Sequence, residues 1–414
     1  MKVLYVYDGH WPHNATRVSK QIDALRDAGH EVVIVSRGAA DRPTHESDSG
    51  LTVARLPFLR SPVLNKVVSY PVFLNPVWIR HIRANVRASR ADCIVVRDLP
   101  LAPAALHVGA GEDLPVHYDM AEVYPAALRS MLPHESGLPL RLVRATRVAE
   151  AIERWVVQRA RTTFVVSSES RDRCIALGVP AERVVLVGNT PANPDALRAE
   201  WPTPADIADL ANRPTVLFVG NIFADRGLRY AIDAMPLVLK HLPSAVLIVV
   251  GDGRERARLE EQVAGLELDS HVRFLGWKHH REHPAYLRHS HVGLLPFLST
   301  EHIRITLANK LFDYMGAGLP VLASDVPPMR RIIEETGSGF VTKAGDSVAL
   351  ADRLVQLLRD EPLRRELGSN GQRAIDREYA WSNDARRYVE AIERGAGARM
   401  GSAARDRSPA GGIG

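Results

Sequence analysis

Short apolar runs alternate with amphipathic segments along most of the chain. The first example joins the apolar run 2–7 to a second apolar run at 31–36, with Val18, Ile22 and Leu25 between them. The i, i+4, i+7 spacing places these three side chains on one face of a helix. Continuous apolar strands separated by helices are typical of a parallel sheet that is covered on both faces. The segment therefore predicts a strand, a helix and a second strand of an α/β sheet.

The alternation continues through two long regions of the chain. In the first region, the pattern predicts strands at 92–97, 114–120, 162–168 and 183–189, and helices at 149–160 and 168–177. In the second region, it predicts strands at 215–221, 245–253, 272–276, 292–297, 319–324 and 339–343. Further helices are predicted at 347–358, 361–378 and 384–394. Each region has the order of elements expected of an open, doubly wound sheet.

A proline-rich segment separates the two regions. Residues 190–214 contain five prolines and no strand pattern, which indicates a linker. We therefore predict the α/β class, with two Rossmann-like doubly wound domains facing an interdomain cleft. The first domain is expected at 1–195, completed by a C-terminal helix at 379–394, and the second at 196–378. The tail 395–414 is rich in Gly, Ala, Ser, Pro and Arg and is expected to be disordered.

The composition is that of a soluble globular protein, with 46% hydrophobic and 24% charged residues. No apolar run approaches the roughly 20 residues of a membrane-spanning helix. The run 2–7 is too short for a signal peptide and is followed at once by Asp8. The two cysteines, Cys93 and Cys174, occupy apolar positions and are expected to be buried thiols. We expect a cytoplasmic protein.

Positive charge is concentrated in one stretch. The net charge is +5, from 53 basic and 48 acidic residues, and no acidic residue lies between Asp48 and Asp92. The basic residues in this stretch are Arg55, Arg60, Lys66, Arg80, Arg83, Arg87 and Arg90. Aromatic and aliphatic residues lie among them, so segment 55–90 is either a contact surface for an anionic membrane or the solvated face of a domain. Because the charge is local, we expect no nucleic-acid partner.

The segment 292–324 holds the strongest candidate site. An apolar strand leads into a polar loop, and a helix is expected to begin near Leu307. The free amides of a helix N-terminus bind anions such as a pyrophosphate. Lys310 adds a cation in the first turn, and Asp313, one turn further, can accept the hydroxyls of a ribose. The alternative is an ordinary strand–helix–strand unit with a solvated Lys–Asp pair.

This segment, which ends in KLFDYMGAGLPVLAS, resembles the donor-binding region of the group 1 (family 4) glycosyltransferases. These are retaining enzymes of the GT-B fold, with a Glu-x7-Glu pattern before and within this helix. The resemblance places Asp313 at the second acidic position, which is associated with the donor ribose. Ile305 occupies the first acidic position, which is associated with the transferred sugar, and Glu301 is out of register.

Other segments strengthen the resemblance. VLFVGNIFADRGL resembles the family's first strand of the donor domain and its basic loop, which implies that Arg226 contacts the donor pyrophosphate. Asn221 stands where the family commonly has a second cation. The GDG at 251–253 and the VRFLG at 272–276 resemble segments that approach the nucleotide, the latter through backbone atoms near Trp277 and Lys278. The donor-binding residues that the resemblance implies are Gly220, Asn221, Gly251, Lys278, Thr306, Leu307, Ala308 and Asn309.

The family's mechanism implies that Arg226, Lys310 and Asp313 are the catalytic residues. The first two stabilise the charge of the leaving diphosphate, and an oxygen of the donor phosphate assists deprotonation of the acceptor. No metal is expected, since no DxD pair is placed to hold one, and no cofactor is expected besides the nucleotide-sugar as donor substrate. A UDP-sugar is favoured because it is common among relatives.

The N-terminal half resembles the acceptor domain of the same enzymes. VHYDMAEVYP matches the family's Y-D-x-H-E-x-Y-P segment at Asp119 and Glu122, whereas Ala121 replaces the usual histidine. His10 and Arg17 follow the first strand, where they either contact the acceptor or have solvated or capping roles. The expected acceptor is a glycan, a lipid-linked molecule or a small molecule.

The sequence therefore predicts a retaining nucleotide-sugar-dependent hexosyltransferase. The missing first acidic residue, Asn221 and Ala121 favour one alternative, a non-catalytic glycosyltransferase-like subunit or nucleotide-binding module. A further alternative is a GT-B sugar-nucleotide epimerase. A nicotinamide dehydrogenase is disfavoured because no G-x-G-x-x-G follows the first strand.

Overall fold

The computed structural model describes residues 1–12, 16–61, 65, 73–131 and 146–405. The chain forms two compact units. The first contains Met1–Val187 and the chain from Asp384 onwards, and the second contains Gly188–Asn383. Each unit is built on its own parallel sheet.

The sheet of the first unit has the strand order β3-β4-β2-β1-β5-β6-β7-β8. Its strands are β1 Lys2–Val6, β2 Glu31–Ser36, β3 His45–Asp48, β4 Leu51–Arg55, β5 Cys93–Arg97, β6 Val116–Met120, β7 Thr162–Val165 and β8 Val184–Leu186. All pairs are parallel except β3 with β4. The central strands are buried along nearly their whole length, which is why they read as continuous apolar runs in the sequence.

Sequence analysis missed the hairpin of β3 and β4. All four residues of β3 are exposed, and it carries no apolar residue, so this edge strand leaves no periodic signal. Ser49 and Gly50 form the turn, with φ angles of 43° and 84°. Two consecutive positive φ values are typical of a tight hairpin turn, and a Ser-Gly pair is the one sequence signal that could have revealed it.

The helices of the first unit cover both faces of the sheet. They are α1 Thr16–Asp27, α2 Pro76–Ser89, α3 Ala102–Gly111, α4 Tyr124–Met131, α5 Thr146–Arg159 and α6 Ser168–Ala176. Their starts follow local chemistry. The Asn75 side chain accepts the Val77 amide at the start of α2, and the Ser167 side chain accepts the Ser170 amide at the start of α6.

The second unit has the strand order β11-β10-β9-β12-β13-β14, all parallel. Its strands are β9 Thr215–Val219, β10 Val246–Val250, β11 Val272–Gly276, β12 Val292–Leu295, β13 Val321–Ser324 and β14 Gly339–Thr342. Counted within the unit, this is the order 3-2-1-4-5-6 of a doubly wound nucleotide-binding sheet. The strand order reverses between β9 and β12, and ligands of such sheets bind where the chain leaves these strands.

The helices of this unit are α7 Pro194–Arg198, α8 Leu228–Leu239, α9 Arg256–Gly265, α10 His283–Arg288, α11 Asn309–Ala317, α12 Pro327–Thr336, α13 Ser347–Arg359 and α14 Glu361–Arg377. The predicted linker 190–214 is instead part of this unit. Leu197, Ile207 and Leu210 within it are buried in the hydrophobic core of the unit. Two of the prolines lie at the starts of helical turns. Pro194 is the first residue of α7, and Pro204 directly precedes a 3-10 turn.

The last helix, α15 Trp381–Arg405, is longer than predicted. The expectation of disorder is wrong for 395–405, and residues 406–414 lie outside the described residues. Gly395 packs so closely on the imidazole of His117 that a Cβ would come within 2.3 Å of it, and Ala396 is buried. Gly395, one of the glycines that suggested a disordered tail, therefore allows the helix to approach the sheet.

Both cysteines are buried and unpaired, as expected. Burial raises the pKa of the Cys93 and Cys174 thiols to about 12. Among the residues that the structure describes, no helix is long and apolar enough to cross a membrane.

Helix α11 is fixed to the central strand of its sheet by one buried side chain. The hydroxyl oxygen of Tyr314 accepts a hydrogen bond from the Val219 amide, at 3.0 Å, where β9 ends. Tyr314 is fully buried. Its ring lies where a Cβ on Gly293 would stand, at 2.4 Å, so β12 needs a glycine there. The contact sets the position of α11 relative to the strand exits.

Replacing Tyr314 with Phe should destabilise the protein by about 1–3 kcal/mol, because the Val219 amide would be left buried without a partner. Denaturant unfolding measures this free energy. Tyr230→Phe, which removes a hydroxyl from a partly buried ring in the same unit, is the control and should change it by much less. Equal stability of the two variants would contradict the assigned role of the Tyr314 hydroxyl.

Candidate active site

Backbone atoms of two glycines form part of the carboxyl edge of the second sheet. The chain continues its strand pairing past β9 and β10, since the Gly220 amide donates to Val250 O and the Ile222 amide to Asp252 O. Gly251 has a φ of 144°, and a Cβ on it would lie 1.9 Å from Gly220 O. Any side chain at 251 would force the two strand exits apart. The predicted donor residues Gly220 and Gly251 are thus brought together at this edge.

Arg226 lies in the loop that follows β9. Its guanidinium stacks over the Phe297 ring, with Cζ 4.7 Å from the centroid, and its Nε is 3.8 Å from Asp225 Oδ1. The Arg226 side chain is one-fifth exposed. Asn221, earlier in the same loop, is exposed. The stacking leaves most guanidinium N–H groups available to an anion.

This loop is held against the exit of β12. The Leu298 amide donates to Asp225 O at 2.8 Å, and a Cβ on Gly227 would lie 1.9 Å from Pro296 O. Gly227 also has a φ of 67°, which side-chain-bearing residues rarely adopt. A glycine is therefore needed here both for space and for backbone conformation. The basic loop is therefore fixed at the strand-order reversal between β9 and β12.

Helix α11 begins at Asn309, with Ala308 as its N-cap, close to the predicted start near Leu307. Thr306 and Leu307 precede the helix, and Ala308 is its N-cap residue. The Thr306 hydroxyl donates to His302 O at 2.7 Å, which holds this stretch in a turn. The amides at the open end of α11 are therefore those of Asn309 and Lys310 rather than those near Leu307.

Lys310 and Asp313 form one cluster with a histidine that sequence analysis did not identify. Lys310 Nζ is 2.8 Å from Asp313 Oδ2 and 3.0 Å from His283 Nδ1. Burial, reinforced by the Lys310 ammonium, lowers the pKa of His283 to about 3. The neutral imidazole of His283 accepts a hydrogen bond from the Lys310 ammonium at Nδ1, so the ammonium is oriented from two sides. His283 begins α10, and nothing in the spacing relates it to position 310.

The Lys278 side chain serves a different contact. Its Nζ lies 2.7 Å from Asp206 Oδ2, and the Tyr286 hydroxyl donates to the same carboxylate. The adjacent Trp277 is exposed over 59% of its surface. The ammonium of Lys278 thus belongs to an ion pair within the unit, which leaves its backbone for the predicted role in reading the base.

In the first unit, two of the predicted acceptor residues form a buried ion pair. Arg17 donates from Nε to both oxygens of Asp119, at 3.2 and 3.0 Å, and from NH1 to Val187 O at 3.1 Å. Burial alone would raise the pKa of Asp119, but the Arg17 guanidinium holds it below its ordinary value. The pair joins α1 to the end of β6. The other two predicted acceptor residues, His10 and Glu122, are exposed.

A second acidic group lies at the carboxyl edge of the same sheet and was missed in the sequence. Asp98 follows β5 with a φ of 60°, a conformation that non-glycine residues rarely adopt. Its Oδ2 accepts from Arg97 Nε at 3.1 Å. Burial and the neighbouring carboxylates raise the pKa of Asp98 to about 6, and burial and Asp98 raise that of Asp8 to about 6. Strain and displaced pKa values at a sheet edge are typical of a functional site.

Within the described part of the chain, no three His, Cys, Asp or Glu side chains are grouped so that they could hold a metal ion. Arg226 and Lys310 are cationic groups near the donor edge, and Arg256 pairs there with Asp252 and Glu260.

Two family models match the chain. Residues 15–190 match the glycosyl transferase 4-like domain, and residues 203–374 match the glycosyl transferases group 1. The chain belongs to the group 1 glycosyltransferases. The family that the sequence motifs suggested is thus confirmed.

Curated relatives of this glycosyltransferase match it over different lengths. It is 37% identical over 180 residues to the phosphatidyl-myo-inositol mannosyltransferase of Mycobacterium leprae, covering 43% of this chain and 46% of that protein. It is 27% identical over 359 residues to the 2-deoxystreptamine glucosyltransferase of Streptomyces kanamyceticus, covering 82% of this chain and 87% of that protein. The first match thus spans about half the length of the relative.

Solved structures confirm the GT-B fold of this glycosyltransferase. The sucrose-phosphate synthase of Thermosynechococcus elongatus superimposes with a TM-score of 0.74 at 19% identity, covering 98% of this chain and 100% of that one. HepE of Anabaena, in complex with UDP, superimposes with a TM-score of 0.70 at 18% identity, covering 95% and 100%. At such identities the likeness is one of fold.

The Asp98 carboxyl should make the stability of this glycosyltransferase pH-dependent. Its folded pKa of about 6 exceeds the ordinary 3.8, so the folded state binds the proton more tightly and this contribution to stability is lost as the pH rises from about 4 to about 6. Asp98→Asn, which keeps the neutral form, should be more stable than the wild type at pH 8, with the gain disappearing near pH 4. Urea unfolding at several pH values measures this.

Asp41→Asn, at an exposed position of the same unit, is the control and should shift stability little at any pH. A gain at position 98 that is the same at pH 4 and pH 8 would contradict a raised pKa.

Proposed function

We propose that this group 1 glycosyltransferase transfers a hexosyl group from a nucleotide-sugar, with a UDP-sugar favoured, to an acceptor with retention of anomeric configuration. The observation that carries the proposal is the pair of cations, Arg226 and Lys310, that the second sheet holds at its carboxyl edge. Arg226 is fixed at the strand-order reversal, and Lys310 is oriented at the start of α11. A nucleoside diphosphate needs this arrangement, since its two phosphates carry the charge that the reaction leaves behind.

The start of α11 supplies the diphosphate site. The helix dipole disfavours a lysine in the first turn by about 0.3–1 kcal/mol, and a bound polyanion reverses that cost. The Asn309 and Lys310 amides point along the helix axis toward the same anion. Preorganised donors of this kind stabilise the developing charge of the leaving diphosphate without reorganising in the transition state.

In this proposal, Asp313 binds the ribose of the donor. It lies one helical turn from Lys310 and pairs with it at 2.8 Å, and its side chain is partly exposed. The Asp313 carboxylate would accept hydrogen bonds from the ribose hydroxyls, while Lys310 contacts both this carboxylate and the phosphates. Ile305 brings no carboxylate to the sugar position, so the transferred sugar would be recognised by other groups.

The acceptor site lies, in this proposal, at the carboxyl edge of the first sheet. Asp8, Asp98 and Arg97 are clustered there, and Glu122 is exposed. A cluster with carboxyl groups near pKa 6 can hydrogen-bond acceptor hydroxyls in either protonation state. The two relatives named above act, by their names, on a phosphatidyl-inositol and on 2-deoxystreptamine, which leaves both lipid-linked and small-molecule acceptors as candidates.

A catalytic role is favoured over a non-catalytic module. Asn221 and Ala121 differ from the family pattern, but the cations that act on the diphosphate are present. The curated relatives are named as transferases. Turnover of the donor in the presence of an acceptor distinguishes a transferase from a module that only binds nucleotide.

Donor binding should depend on Lys310 and Arg226. One of UDP-, GDP-, ADP- and dTDP-glucose, with the UDP-sugar expected, should raise the melting temperature of the wild type and not that of Lys310→Ala or Arg226→Ala. Removing one such contact should slow turnover by about 10²–10³-fold. Asp313→Ala should weaken the binding of nucleoside diphosphates more than the binding of free pyrophosphate, because it removes the ribose contact.

The matched controls are Arg229→Ala, which removes an exposed cation from α8, and Lys240→Ala, which removes one from the C-cap of the same helix. Both should keep donor binding. If Lys310→Ala and Arg226→Ala also retain wild-type turnover, the diphosphate does not bind at these residues.

We also propose that exposed cations of segment 55–90 contact an anionic membrane at its cytoplasmic face. Three of the seven cations in this segment already have acidic partners. Arg55 is buried and pairs with Glu46, and Arg83 and Arg87 pair with Glu112. Arg60, Arg80 and Arg90 are exposed, whereas Lys66 lies outside the described residues.

Vesicles containing an anionic phospholipid should therefore bind the protein more tightly than neutral vesicles, and added salt should weaken the binding. Co-sedimentation measures it. Arg60→Gln with Arg80→Gln should reduce it, and equal binding to neutral and anionic vesicles would rule out an electrostatic contact.

A further inference from the structure

A groove of about 730 Å³ opens at the amino edge of the first sheet. Val116, which begins β6, lines it, and so do Arg161 and Arg183, which directly precede β7 and β8. The edge is opposite to the one that carries Arg97 and Asp98. The groove is therefore separate from the proposed acceptor site, and its volume lies within the roughly 300–1,000 Å³ of small-molecule sites.

One wall of the groove is apolar and open to water. Leu74 and Trp155 keep 57% and 37% of their surface exposed, although both are large hydrophobic residues. Leu106 and Leu114 continue the same surface toward the sheet. Clustered exposed apolar side chains in a concave surface indicate a binding site more often than a solvated face.

The groove also has a positively charged side, which is formed by arginines. Arg159, Arg161 and Arg183 line the groove, and no acidic residue does. Arg183 has a structural role, since its guanidinium donates to Gln158 O and Ala160 O at the end of α5. No carboxylate of the described chain lies within ion-pair distance of Arg159 or Arg161. Arg159 NH1 makes one long contact, to Trp155 O at 3.5 Å, so both arginines still have donors for an anion.

The C-terminal ends of helices attract cations, which explains why some of these arginines lie in the groove. The C-terminus of α5 carries a partial negative charge that Arg159 and Arg183 can offset. Arg159 stacks on Trp155, with Cζ 4.8 Å from the ring centroid. The helix end does not account for Arg161, which lies beyond the helix and is exposed, or for the exposed ring of Trp155.

We propose that this groove binds one molecule of an anionic phospholipid. Its phosphate is held by Arg159 and Arg161, and its chains lie along Leu106, Leu114 and Trp155. A free phosphate would not contact the apolar wall, and a neutral amphiphile would leave the two arginines without an anionic partner. Since the groove is at the opposite edge from the proposed acceptor residues, the lipid is a ligand of the protein rather than its sugar acceptor.

Calorimetric titration of the full chain with dihexanoyl phosphatidate, kept monomeric below its micelle concentration, tests the proposal. The wild type should bind it, and Arg159→Gln with Arg161→Gln should weaken the affinity by about tenfold or more, because two charge-assisted contacts are lost. Trp155→Ala should also weaken it. Circular dichroism and thermal unfolding establish that each variant is folded.

The matched control is Arg147→Gln with Arg154→Gln, which removes two exposed cations from α5 outside the groove. It should leave the affinity within about twofold of the wild type, as expected for surface charges that do not touch the ligand. Three results would overturn the proposal: no binding by the wild type, equal binding of inorganic phosphate, or equal binding of dihexanoyl phosphatidylcholine.

Discussion

The second unit depends on strand exits that approach one another more closely than a side chain permits. A Cβ on Gly251 would lie 1.9 Å from Gly220 O, and one on Gly227 would lie 1.9 Å from Pro296 O. These contacts bring the ends of β9, β10 and β12 into one edge. Because Gly220, Gly227 and Gly251 carry no side chains, a ligand can approach the main-chain atoms of these strand exits directly.

The charged residues of the candidate donor site are positioned by that edge and by one buried hydroxyl. The basic loop with Arg226 is held in place where Gly227 packs against Pro296 O. Helix α11 is attached to the end of β9 through the Tyr314 hydroxyl. His283 and Asp313 then orient the Lys310 ammonium from two sides. The cations are thus held before any anion arrives, which is the condition for electrostatic stabilisation in a transition state.

The first unit uses the two edges of its sheet differently. At the carboxyl edge, buried or partly buried charges are paired, as in Arg17 with Asp119 and Arg97 with Asp98. At the amino edge, arginines lie beside exposed apolar side chains without acidic partners in the groove. The first arrangement suits hydroxyl-bearing ligands, and the second suits an amphiphile with a negative head group.

The sequence by itself determined the parallel sheets and the family. Continuous apolar strands and their order along the chain are local features, and the KLFDYMGAGLPVLAS motif lies within one short segment. Only the tertiary structure decided which residues meet. Arg17 and Asp119, or His283 and Lys310, are distant in sequence, and the edge strand β3 has no apolar residue to reveal it. The last helix also continues past Gly395, where the close approach of Gly395 to His117 is a tertiary contact that composition does not reveal.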